Sequence, residues 1–238
     1  MTTLAEVAES RSQLFQLLAL GFTHPVEAFH RVLVDDSYRQ ALVSAASVSR
    51  CPINFSHRET DDFAEFESDF ILLFQMGRRG KPLVSLNAAD HADIASERGR
   101  PEVLLEYSGW YRHFGLRANQ EGETNELPDH LVCQLEFLAW LAHLEAGAGD
   151  EPEMQQGYQR AQRDFLKRHL QAFLESLVTS FQQRASGEGH EPLYRSLAAL
   201  SLELTDCMLE QFDTALAESD RSGNGGDVQQ IAAVNLWG

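Results

Sequence analysis

The feature that most constrains this chain is a run that is apolar on almost every side, residues 125–145, NELPDHLVCQLEFLAWLAHLE. The spacing predicts one helix of about five turns. Pro128 suits a first helical turn, where its missing N–H costs nothing, and it pushes Leu127 away from the helical region. The helix is therefore expected to begin at Pro128. Leu131, Leu135, Leu138 and Ala142 make one apolar row; Val132 and Ala139 belong to a second, and Phe137, Leu141 and Leu144 fill the next face. A helix apolar nearly all round is buried nearly all round, so the other helices must pack about it. Its start nevertheless carries Asp129 and His130, and its middle carries Glu136. Polar groups on a core helix need partners or have a task.

The rest of the chain supplies what such a helix needs. Thr3 and Glu6 are spaced as a capping box before Leu4, Val7, Leu14, Phe15, Leu18 and Phe22. Two short helices are expected over 25–34 and 36–48. Residues 59–76 repeat Phe63, Phe66, Phe70, Leu73 and Phe74 at helical spacing, with acids on the other faces. Residues 77–93, GRRGKPLVSLNAADHAD, break that pattern and form the longest irregular connection within the core. Loops of that length in a compact domain are usually functional or disordered; Leu83, Val84 and Leu86 argue for order. An aromatic stripe, Val103, Leu104, Tyr107, Trp110, Tyr111 and Phe114, marks a helix from Pro101 and reads as core packing. Long helices follow over 153–183 and 191–218. No stretch alternates as a strand does. The expectation is an all-α fold, a single globular multi-helix domain over 1–218. A Gly/Ser/Asp linker and a short apolar tail, 219–238, should follow it. Residues 228–237 are expected to dock on the body through their apolar side chains.

Composition limits the partners. The chain has 238 residues, 43% of them hydrophobic, enough for one substantial core. A net charge of −17 argues against nucleic acid and anionic membranes, which need a basic footprint. No run is long and apolar enough for a bilayer span, and the first residues read as a helix cap rather than a signal peptide. Cys51, Cys133 and Cys207 are odd in number and far apart, and read as reduced thiols of a cytoplasmic protein.

No P-loop, nucleophile elbow or paired Glu-Xaa-Xaa-His set is present. Asp90, His91 and Asp93 lack the further ligands of a metal site, so neither metal nor cofactor is expected. Asp129–His130 admits two readings. The acid can complement the helix dipole while the histidine bonds a loop carbonyl, or the two can act as an acid–base pair. The acid–base reading, that of a helical enzyme, needs a nucleophile or cofactor, and the residues supply neither; a general helical protein-interaction module is the further alternative.

Pro128-Asp129-His130 near a helix start, followed by Leu135-Glu136-Phe137, resembles the signature of the TorD/DmsD/NarJ family of molybdoenzyme maturation chaperones. The acidic Phe-rich segment ending in Leu73-Phe74 and the stretch LLEYSGWYRHFGL, 104–116, are similar to that family's flanking helices. The loop reads Lys81-Pro82-Leu83-Val84-Ser85-Leu86-Asn87 where many members have a Pro-Tyr-Glu-Ser element. This departure resembles the subgroup serving type II enzymes of the dimethyl sulfoxide reductase family. The resemblance implies a cytoplasmic, non-enzymatic chaperone, monomer or homodimer. Its partner would be the immature catalytic subunit of a molybdenum oxidoreductase, often held at its twin-arginine leader until the cofactor is inserted. It implies client contacts at Asp129 and His130, with Glu126, Pro128, Leu86 and Asn87 beside them, and a structural role for Leu135, Glu136 and Phe137.

Overall fold

A computed structural model describes residues 2–56, 60–77, 80–96, 99–116, 126–149, 151–184 and 192–223. In chain order the helices are α1 (Leu4–Phe22), α2 (Glu27–Val34), α3 (Ser37–Val48), α4 (Phe63–Phe70), α5 (Ala92–Ala95) and α6 (Arg100–His113). They continue as α7 (Leu131–Gly147), α8 (Pro152–Phe165), α9 (Gln171–Arg184) and α10 (Pro192–Gly223). A π-helical turn, Ile71–Gln75, prolongs α4, and another, Leu166–Leu170, joins α8 to α9 into one long rod. Among the described residues there is no strand. One isolated antiparallel bridge pairs Asn87 with His130. The all-α reading holds.

α7 is the axis. Leu131, Leu135, Leu138, Leu141 and Ala142 are wholly buried, and α7 packs chiefly against α1 and α8. α1 starts at the expected capping box: the Glu6 N–H donates to Thr3 Oγ1 and the Thr3 N–H to the Glu6 carboxylate. Its far end approaches two neighbours at Gly21, where an added Cβ would lie 2.5 Å from the Tyr38 hydroxyl and 2.9 Å from Leu197. The aromatic stripe of α6 packs inward as expected, with Tyr111 and Trp110 against Phe137 and Phe165. A second aromatic cluster joins Phe66, Phe70 and Phe74 to Tyr194 and Phe181.

Two expectations are corrected. α7 begins at Leu131, not Pro128. Pro128 and Asp129 form a turn closed by the His130 N–H on the Leu127 carbonyl, and His130 is extended because it bridges Asn87. That tertiary pairing overrides the local preference for a proline in the first turn. The cysteines are not all reduced: Cys51 and Cys207 form a disulfide, with Cα atoms 6.0 Å apart, while Cys133 is free. The bond ties the segment after α3 to α10.

α10 runs on past Ser219 to Gly223. Residues 224–238, with the expected docking of 228–237, lie outside the described residues. No helix among the described residues is long and apolar enough to cross a membrane.

Candidate functional site

The turn before α7 is held by the loop that the sequence marks as its longest. The Leu131 N–H donates to the Leu86 carbonyl at 2.8 Å and the Ala88 N–H to the Asp129 carbonyl at 3.2 Å. The Ala89 N–H donates to Asp129 Oδ2 at 2.8 Å, so the carboxylate caps the short 3-10 turn Ala88–Asp90. Tyr111 adds a bond from its hydroxyl to the Pro128 carbonyl at 2.6 Å, and Gln134 donates its amide to the Asp129 carbonyl at 2.9 Å. The loop is braced in turn. His91 bonds Ser176 of α9 and the Ser85 carbonyl, and Arg100 pairs with Asp90.

The neighbours Asp129 and His130 part company. Asp129 is wholly buried and faces the loop backbone. His130 caps α7: its Nδ1 accepts the Val132 N–H at 3.3 Å, which places the ring proton on Nε2, 3.4 Å from Glu126 Oε2. Burial pushes the His130 imidazole below its ordinary range, against the pull of Glu126 and Asp129. The cap has the same requirement, since only a neutral ring can accept at Nδ1. Burial raises the Asp129 carboxyl, opposed by the Ala89 hydrogen bond. Asp129 Oδ1, Asn87 Oδ1 and Gln134 Oε1 are buried acceptors that take no hydrogen bond among the described residues. A proton on Asp129 would turn one of these acceptors into a donor.

Beside this turn opens a cavity of about 660 Å³. Five of the six client contacts implied by the sequence line it or its rim: Glu126, Pro128, His130, Leu86 and Asn87. Asp129 stands behind the wall, holding the loop in place. Of the Leu135-Glu136-Phe137 signature, Leu135 is fully buried core and Phe137 is core with an edge on the cavity, whereas Glu136 faces the opening. Its carboxyl is raised first by burial and then by Glu126. Cys133 also lines the cavity, its thiol pushed up to about 12, chiefly by burial and then by Glu136, so it is no nucleophile at neutral pH.

Several walls escape the sequence reading. The end of α1 gives Phe22, Thr23 and His24; α4 and its π turn give Phe70, Phe74 and Gln75; α7 gives Trp140, 37% exposed. Phe70 and Phe74, four residues apart across the π turn, touch edge to face with ring centroids 5.1 Å apart, and single π turns often sit at functional places. A signal for part of this was present. Val132, Glu136 and Trp140 recur at four-residue intervals, one row on α7, and its polar member and large indole belong where a core helix meets an opening. Among the described residues no group of three or more His, Cys, Asp or Glu is placed to hold a metal ion.

The family model described as nitrate reductase delta subunit matches residues 33–179. The dimethyl sulfide dehydrogenase assembly chaperone protein of Rhodovulum sulfidophilum is 36% identical over 246 residues, covering 97% of this chain and 93% of that relative. The perchlorate reductase assembly chaperone protein of Dechloromonas aromatica (strain RCB) is 33% identical over 210 residues, 85% and 89% of the two chains. The selenate reductase assembly chaperone protein of Thauera selenatis is 34% identical over 171 residues, 71% and 75%. By its helical fold, its Pro-Asp-His turn and these matches, the chain belongs to the nitrate reductase delta subunit family, the TorD/NarJ family that its sequence motifs resemble.

Proposed function

We propose that this protein is a system-specific assembly chaperone that binds the immature catalytic subunit of a molybdenum oxidoreductase in the cytoplasm, before cofactor insertion and export. The client's twin-arginine leader enters the cavity beside the α7 turn. The protein works by binding, not by turnover. Its relatives' names support the client class. One observation carries the choice of site: among the described residues the cavity combines aromatic walls with Glu126 and Glu136, and none of those lining it is Lys or Arg. A leader offers a cationic pair followed by an apolar run. Guanidinium groups suit carboxylates through paired charge-assisted bonds and suit aromatic faces through cation–π contact. His130 then serves twice, capping α7 and orienting Glu126 through its Nε2–H. Asp129 acts one step back, fixing the loop that carries Leu86 and Asn87.

The acid–base reading finds less support. The Asp129 carboxylate points to Ala89 and the His130 ring to Val132 and Glu126, so the two do not form a relay.

The test is pull-down of a molybdenum oxidoreductase catalytic subunit from the same organism, with and without its leader. Binding that needs the leader, and that weakens when its two arginines become glutamines, is the expected result. Equal capture of leaderless and full-length subunit would move the site off this cavity.

A further inference from the structure

The cavity does not end at Trp140. Glu136 and Trp140 also wall a smaller hollow of about 360 Å³, completed by Gln16, Ala139 and His143. Gln16 in turn borders a third hollow of about 690 Å³ between α1 and α3. α1 packs on α7 along one side and on α3 along another, so the three hollows lie in sequence across it. The last has short side chains at Ser10 and along α3 at Ala41, Ser44 and Ala45, longer ones along α1 such as Glu9, Gln13 and Leu17, and Leu20 and Val48 exposed at its edges. Glu126, Glu136, Glu9 and Glu6 are spread along the whole path, and among the described residues no Lys or Arg lines any of the three hollows. His143, at the crossing, lies 3.4 Å from Glu9.

We propose that the client segment held in the cavity continues over Trp140 and Gln16 into the α1/α3 groove. The protein therefore reads an extended basic and apolar tract, not one arginine pair. The proposal rests on the cavity being the client site and adds a second subsite to it. Crossing from α7 over α1 to α3 spans two helix spacings, about 20 Å, or roughly six extended residues. The short side chains of the groove leave room for apolar side chains of the client, and Leu20 and Val48 offer them surface. A glutamate in each of the three hollows favours basic residues along the tract and disfavours an acidic segment. Two subsites joined by a short tether raise affinity by making the second contact intramolecular.

The experiment uses fluorescein-labelled synthetic peptides and anisotropy. One peptide, of about eight residues, carries two adjacent arginines followed by apolar residues; two longer ones, of about sixteen, extend it at either end with basic and apolar residues. On the wild-type protein at least one long peptide should bind about ten-fold tighter than the short one. A Leu20→Lys/Ser44→Lys variant, changed only at exposed positions, should lose that advantage while binding the short peptide unchanged. Equal affinity of short and long peptides for the wild type would overturn the proposal, as would an advantage that survives the lysines. If the short peptide fails to bind at all, the cavity reading itself falls, and the tract falls with it. Circular dichroism of the variant confirms its fold.

Discussion

The two ends of α7 each bury a carboxylate, and they treat it in opposite ways. At the C-terminal end Glu145 is fully served. Its Oε2 takes Arg11 at 2.6 Å and Gln162 at 2.7 Å, and its Oε1 takes Gln159 at 2.7 Å. Arg11 also donates to Gln162 and lies over the Phe212 ring, so one closed network ties α1, α7, α8 and α10 together. At the N-terminal end the Asp129 carboxylate has one bond, from the Ala89 N–H, one oxygen without a partner among the described residues, and a cavity on the other side of the turn. A satisfied buried network holds a fold in one arrangement. A polar cluster with spare acceptors, beside an opening, is where a ligand or a proton finds work.

This contrast can be broken most severely at Glu145. Glu145→Ala strands the Arg11 charge in the core and should cost about 3–5 kcal/mol of stability, read as a lower urea midpoint. Leader-peptide affinity, measured on the fraction that stays folded, should not change. A large affinity loss would mean that the two ends are not separable.

His130→Ala is next. Losing an N-cap costs about 1 kcal/mol of stability. Affinity should fall further, by roughly ten-fold or more, because Glu126 loses the Nε2–H that orients it. Urea unfolding and peptide titration on the same sample separate the two. If the stability loss accounts for the whole defect, His130 is a cap and nothing more.

Trp140→Ala sharpens the comparison from the cavity side. The ring is partly exposed, so stability should change by about 1 kcal/mol or less. Loss of an aromatic anchor at an interface should still cost about 1–2 kcal/mol of binding. Unchanged affinity would remove Trp140 from the client path.

The smallest effect is in the pH dependence. Burial raises the Asp129 carboxyl in the folded state. Its contribution to stability is then full below the ordinary aspartate range and is lost as pH rises through the raised value. Asp129→Asn keeps an acceptor for the Ala89 N–H, removes the charge, and should flatten that slope in the range just above the ordinary aspartate value of about 4. His130 works in the opposite sense. Its lowered value gives stability present above the ordinary histidine range and lost as pH falls through the folded value, when Nδ1 takes a proton and the cap opens. Wild-type and Asp129→Asn unfolding curves that stay parallel across this range would show that Asp129 carries no such linkage.

How much of this was legible follows from where each cause lies along the chain. The burial of α7, the capping box of α1 and the inward stripe of α6 are set by local spacing, and spacing alone finds them. The start of α7 is set by the bridge from His130 to Asn87, in a loop distant in sequence, so the local rule for Pro128 gives the wrong residue. The Cys51–Cys207 bond joins positions 156 residues apart, which an odd cysteine count hides. The family signature groups Glu136 with Leu135 and Phe137, whereas its four-residue row with Val132 and Trp140 points to an opening. The packing follows the row: Leu135 and Phe137 turn into the core and Glu136 turns to the cavity.

On the proposed function, the N-terminal end of α7 recognises a cationic client segment through Glu126 and Glu136. A double-mutant cycle tests this, pairing Glu136→Gln with replacement of each leader arginine by glutamine and reading peptide affinity by titration. The expected coupling between Glu136 and one arginine is about 1 kcal/mol or more. Additive losses for every pair, with a coupling of zero, would contradict it.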